Sequence, residues 1–121
     1  MLKYPKIPAG KASARKRDWT NDNANWHIEE KIDGSNFSFN VVDDKLSIHN
    51  RNRKLEPPYQ WMFERAMLAL QVLTPKLNPD LTYHGETLSK VRHNVIEYGR
   101  LPRFYFIMFD AQRTDGSWLT R

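Results

Sequence analysis

Cysteine is absent from the 121 residues, which excludes disulfide frameworks, Cys-ligated zinc and thiol catalysis. No apolar run approaches the roughly 20 residues that span a bilayer, and the N-terminus carries no apolar leader-like segment. A cytoplasmic protein without a membrane partner is expected. There is no glycine-rich phosphate loop, no internal repeat and no low-complexity tract. Acidic side chains are the scarcer charge: 14 Asp and Glu stand against 19 Lys and Arg, giving a formal charge of +5 and a pI near 9.6. That balance suits a polyanionic partner without naming one. Mean hydropathy is low at -0.74, yet 40% hydrophobic and 12% aromatic residues is the content of a folded chain. A chain of this length makes one small domain, or part of a larger one, and buries roughly two thirds of its unfolded surface.

Residues 1–25 read as an extended arm and loop, from Tyr4-Pro5-Lys6-Ile7-Pro8 through Lys11, Arg15, Lys16 and Arg17 to the polar run Thr20-Asn21-Asp22-Asn23. Residues 26–110 read as the core. Trp26, Ile28 and Ile32 alternate with His27 and Glu29, predicting a half-buried strand that delivers Lys31 near its end. Asp33-Gly34-Ser35 breaks it, with Gly34 free to take a positive φ and Asp33 able to accept from nearby amides. Phe37, Phe39 and Val41 alternate with polar residues, and after Asp43-Asp44 so do Leu46 and Ile48, which predicts a hairpin.

Arg51-Asn52-Arg53-Lys54 forms a basic loop. Pro57-Pro58 then opens a helix over 59–73, whose stripe of Tyr59, Phe63, Ala66, Leu70 and Leu73 faces the core before Pro75 stops it. Leu81 to Glu86 reads as a strand, 91–99 stays ambiguous, and the aromatic run 103–110 reads as a buried strand followed by a polar, turn-like tail. The expected class is α+β, a largely antiparallel sheet with one main helix. His27, His49, His84 and His93 show no metal-ligand spacing and read as surface or hydrogen-bonded residues.

The chemistry concentrates in Glu29-Glu30-Lys31-Ile32-Asp33-Gly34-Ser35-Asn36. A lysine amine is nucleophilic only when neutral, and its ordinary pKa near 10.4 keeps it charged at pH 7 unless burial or a neighbouring cation intervenes. Lys-x-Asp-Gly resembles the nucleophile box of the covalent nucleotidyltransferases, and Glu-Lys-Ile-Asp-Gly-Ser-Asn-Phe is similar to the version in ATP-dependent RNA ligases. The order of later elements adds to the resemblance. His49-Asn50-Arg51-Asn52-Arg53-Lys54, the 59–73 helix, His84-Gly85-Glu86-Thr87-Leu88 and Phe104-Tyr105-Phe106-Ile107-Met108-Phe109-Asp110 follow in the family's sequence, and Tyr4-Pro5-Lys6-Ile7 looks like its lead-in.

The resemblance implies part of an ATP-grasp-like ligase domain in which Lys31 attacks the α-phosphate of ATP, with Mg2+, to form lysyl-AMP for sealing RNA 3′-hydroxyl to 5′-phosphate ends. It implies that Glu30 and Ile32 meet the adenine through their backbone and that Asn36 lies near the ribose and reactive phosphate. Arg51 would contact the sugar or the nucleic-acid end, with Arg53 as the fallback and Lys54 beside it as a phosphate candidate. Glu86 would hold the ribose hydroxyls, and Phe109 would stack on the purine, with Phe106 as the alternative stacker. The family's later Glu-Gly and Lys-x-Lys boxes are not in these 121 residues, so the chain resembles the front half of such a domain, with the rest expected in a longer chain or a partner. A DNA ligase or capping guanylyltransferase is the alternative within the superfamily, and a non-catalytic nucleic-acid-binding remnant the alternative outside it.

Overall fold

The computed structural model describes Tyr4 and residues 29–119. The described chain runs β1 (Ser35–Val42), β2 (Lys45–His49), α1 (Trp61–Leu73), β3 (Leu81–Thr87) and β4 (Phe106–Arg113). The four strands form one sheet in the order β2-β1-β3-β4, and every neighbouring pair is antiparallel. This is the α+β class that the periodicities predict.

The hairpin follows from turn chemistry. Asp43 and Asp44 both take positive φ, 50° and 61°, the pair of left-handed residues that a two-residue turn needs to match the strand twist. Phe39 then pairs with Ile48 and Val41 with Leu46. The sheet's apolar face buries Phe37, Phe39 and Ile48 against Phe63, Met67 and Leu70 of α1, each worth about 1.5–3 kcal/mol as apolar surface leaves water. The helix begins at Trp61, two residues later than the spacing predicts, because Gln60 is still extended; a 3-10 turn at Thr74–Lys76 carries Pro75 and ends it.

Three expectations are corrected. Residues 29–33 are irregular, so no strand leads into Lys31 over the described part of 26–32; residues 26–28 and the arm, Tyr4 excepted, lie outside the described residues. The aromatic strand starts at Phe106, runs on through Arg113 into the expected tail, and is a half-exposed edge rather than a buried strand. Its alternation also fails. Gly85 pairs with Met108 but His84 pairs with Asp110, so Phe109 is the extra residue of a β-bulge, which resets the faces on either side.

Gly85 sits at that bulge because a Cβ there would come 2.4 Å from the Ile107 carbonyl oxygen. Phe106 packs edge-on against Phe37 and Phe39 on the helix side of the sheet. It is half-buried and packs against the core.

Candidate functional site

The face of the sheet away from α1 is polar. Register places Asn36 opposite Glu86 and Ser38 opposite His84, so alternation puts all four side chains on this face. At its centre His84 is fully buried between Ser38 Oγ, 2.7 Å from Nδ1, and Gln112 Oε1, 2.8 Å from Nε2. A side-chain carbonyl only accepts, so Nε2 carries the proton and Nδ1 receives the serine hydroxyl. Tyr4 covers this network: its ring lies against His84, Phe109 and Trp118, and its hydroxyl donates to Asp110 Oδ2. Tyr4 touches both His84 and Phe109, so the bulge turns Phe109 onto the polar face.

Glu86 occupies the end of the face nearest the lysine box. Asn36 Nδ2 donates to its Oε1 over 3.3 Å. Burial pushes its carboxyl up, opposed by hydrogen bonds from Asn36 and the Gly34 backbone and by the charges of Lys31 and Arg51. Four positions singled out by the sequence, Lys31, Gly34, Asn36 and Arg51, thus act on the carboxylate of a fifth, Glu86. Lys31 itself is exposed, as are Glu30 and Arg51, and Ile32 is half-buried. Arg53 lines a cavity of about 120 Å3 with Leu55, Tyr59 and Phe63. Lys54 pairs with Glu56 at 3.4 Å on the surface.

Gly34 is required for a reason other than the one its turn suggested. It has no positive φ; instead a Cβ there would stand 2.2 Å from the Thr87 carbonyl oxygen, so the lysine box and β3 approach more closely than any side chain allows.

Asp33 departs further from the local reading. It accepts not from neighbouring amides but from a strap some 60 residues away: Asn94 Nδ2 at 3.0 Å, Val95 N at 2.8 Å and Ile96 N at 2.7 Å. Its own amide donates to Tyr98 Oη, and Asn94 also donates to the Gly34 carbonyl. His93 completes the strap. Its Nε2 accepts from the Ser89 amide, so its proton is on Nδ1, which faces Ser35 Oγ at 2.9 Å. Residues 89–98 therefore hold the turn on both sides of Gly34. No local pattern announces this, since hydrogen bonds between distant polar residues leave no period in the sequence.

Two expectations follow from these networks. The Ile96 and Val95 amides hold the Asp33 carboxyl below its ordinary 3.8, so its contribution is present above that value and is lost as pH falls through the depressed one. Asp33→Asn replaces one acceptor oxygen by a donor; hydrogen exchange at the Val95 and Ile96 amides should accelerate by tenfold or more (about an order of magnitude) while the sheet amides keep their protection. Burial lowers His84 and His93 from 6.5. Below pH 6.5 the unfolded chain therefore binds more protons than the folded one, and stability falls as pH drops through that window. The urea midpoint should be lower at pH 5.5 than at pH 7.5, and His84→Gln should narrow the difference. Glu86, raised from 4.5, works in the opposite sense above that value, its contribution being lost as pH rises through its folded value.

No group of three His, Asp or Glu side chains that could hold a metal ion occurs among the described residues, and no helix among them is long and apolar enough to cross a membrane. Compared with known families, residues 24–121 match the model described as RNA ligase. No curated protein matches the chain.

Proposed function

From the premise that the chain belongs to the RNA ligase family, we propose that it carries the nucleotide-binding front of an ATP-dependent RNA ligase and that Lys31 is its nucleophile. The observation that carries this reading is the register of β1 on β3, which sets Asn36 against Glu86 within reach of the Lys31 charge. A carboxylate that merely ended a strand would need neither.

In the proposed reaction the neutral Lys31 Nζ attacks the α-phosphorus of ATP. An N–P bond forms, the bond from that phosphorus to the bridging oxygen breaks, pyrophosphate leaves, and the amine proton passes to solvent. Glu86 accepts the ribose hydroxyls, which suits a carboxylate with two acceptor oxygens, and Asn36 keeps it aimed. Arg51 supplies positive charge on the same side. Phe109 offers its ring to the purine, a contact that any π face supports; Tyr4 occupies one edge of it. Mg2+ would enter with the ATP phosphates, its common mode of binding.

The test is the intact mass of the 121-residue chain after incubation with ATP and Mg2+. It is run alone and with a polypeptide supplying the Glu-Gly and Lys-x-Lys boxes from the second half of an RNA ligase catalytic domain. A gain of one AMP in either arm is the expected result. No gain in both arms refutes the reading.

A further inference from the structure

On the helix side of the molecule three cations lie over three aromatic rings, and neighbours along the chain link the three pairs into a row. Lys90 Nζ is 4.3 Å from the Trp61 ring centre, Arg65 Cζ is 5.1 Å from that of Tyr105, and Arg103 Cζ is 5.4 Å from that of Phe104. Trp61 and Arg65 are one helical turn apart and so share a face of α1, while Phe104 and Tyr105 are adjacent in the chain. Such pairs occur about once per 70–80 residues in folded proteins, so three of them in one row exceeds the background for a chain of this size.

The charges are also unspent. Among the described residues none of Lys90, Arg65 and Arg103 forms an ion pair with a carboxylate, and Glu64 is the one acid of α1. Trp61 and Phe104 keep 44% and 40% of their surface exposed, which leaves ring surface open to a ligand.

The row also leads somewhere. Trp61 meets the His93 ring at 4.9 Å, and His93 bonds Ser35, four residues beyond Lys31. One end of the row is therefore a single side chain away from the segment that carries the candidate nucleophile.

We propose that this row, Lys90-Trp61-Arg65-Tyr105-Phe104-Arg103, binds single-stranded RNA and guides a strand end toward the Lys31 turn. Exposed rings alternating with unpaired cations match a strand that alternates flat bases with phosphates. The choice of RNA as occupant rests on the family reading above; the charge and the rings do not depend on it.

The experiment is fluorescence anisotropy of a fluorescein-labelled 12-nucleotide oligouridylate with the full chain, without ATP, over a range of salt. Combined Lys90→Gln, Arg65→Gln and Arg103→Gln should weaken binding at least tenfold and reduce the salt slope by about 2, since each phosphate neutralised on a single strand contributes about 0.7. Trp61→Ala should weaken it roughly tenfold through lost stacking. The three cations are exposed, so the triple variant tests the row even if Trp61→Ala disturbs α1, and thermal melts check both. Lys45→Gln, on the hairpin, should bind as wild type.

Undiminished binding by the triple variant, an equal loss from Lys45→Gln, no binding by wild type at low salt, or tighter binding of an oligothymidylate or a duplex RNA of the same length would each overturn the proposal. Because ATP is omitted and Lys31 is intact, these outcomes are independent of whether the chain gains AMP, so the two readings fail separately.

Discussion

Lys31→Ala, incubated with ATP and Mg2+ under conditions that add AMP to the wild-type chain, is expected to gain no mass, a loss of at least about 10^3-fold for removal of a nucleophile. Lys31→Arg should behave the same way although it keeps the charge, because a guanidinium stays protonated in any protein environment and has no lone pair to attack phosphorus. The pair of variants separates two roles. If Lys31 served only to attract the ATP phosphates, arginine would retain most of the effect; if it forms the N–P bond, both substitutions fail alike. Lys31 is exposed, so neither change disturbs packing, and melting curves should superimpose on wild type. Labelling that survived in either variant would move the nucleophile elsewhere in the chain.

Gly34→Ala should be the most destabilising single methyl group in the site. The new Cβ would lie 2.2 Å from the Thr87 carbonyl oxygen. That atom belongs to the backbone of a central strand and cannot swing aside as the tip of a side chain can. Overpacking of this kind costs about 1–3 kcal/mol, and here the upper end applies, because separating β1 from β3 also pulls the Gly34 backbone away from Glu86. A fall in Tm of roughly 10 °C is expected. Gly99→Ala is the matched control: no atom lies within 4 Å of its added Cβ, and removing glycine's freedom from the unfolded chain should leave Tm unchanged or raise it slightly. Equal melting of the two variants would show that the approach of the lysine turn to β3 is not needed for stability.

The features that were legible in the sequence are those whose cause is local. Asp43-Asp44 between two alternating runs specified the hairpin through its own φ angles, and the spacing of Phe63, Ala66 and Leu70 specified the buried face of α1. That Asn36 and Glu86 matter was implied by the resemblance alone, but the strands that carry them were legible for the same reason, since their alternation is local. Phe109 was not. Its face depends on the bulge opposite Gly85, where the pairing of two separate strands shifts by one residue, and nothing within 103–110 marks that shift. The fit of Gly34 against Thr87 and the hold of residues 94–96 on Asp33 were invisible for a related reason: each is a meeting of segments about 50 to 60 residues apart, and periodicity speaks only for residues that share an element.

The strap has a consequence for the order in which the molecule forms. Asp33 takes its partners from 61 to 63 residues downstream, and its amide meets a hydroxyl 65 residues away; on the opposite face the Tyr4–Asp110 bond spans 106. Closing loops of that length must be entropically paid for before any contact repays it, and chains dominated by such contacts fold slowly. The β1–β2 hairpin can form as soon as its own residues leave the ribosome, but the turn behind Lys31 has no defined shape until residue 98 has followed. During synthesis Lys31 therefore precedes a turn without a fixed shape, and that shape arrives late, together with the sheet.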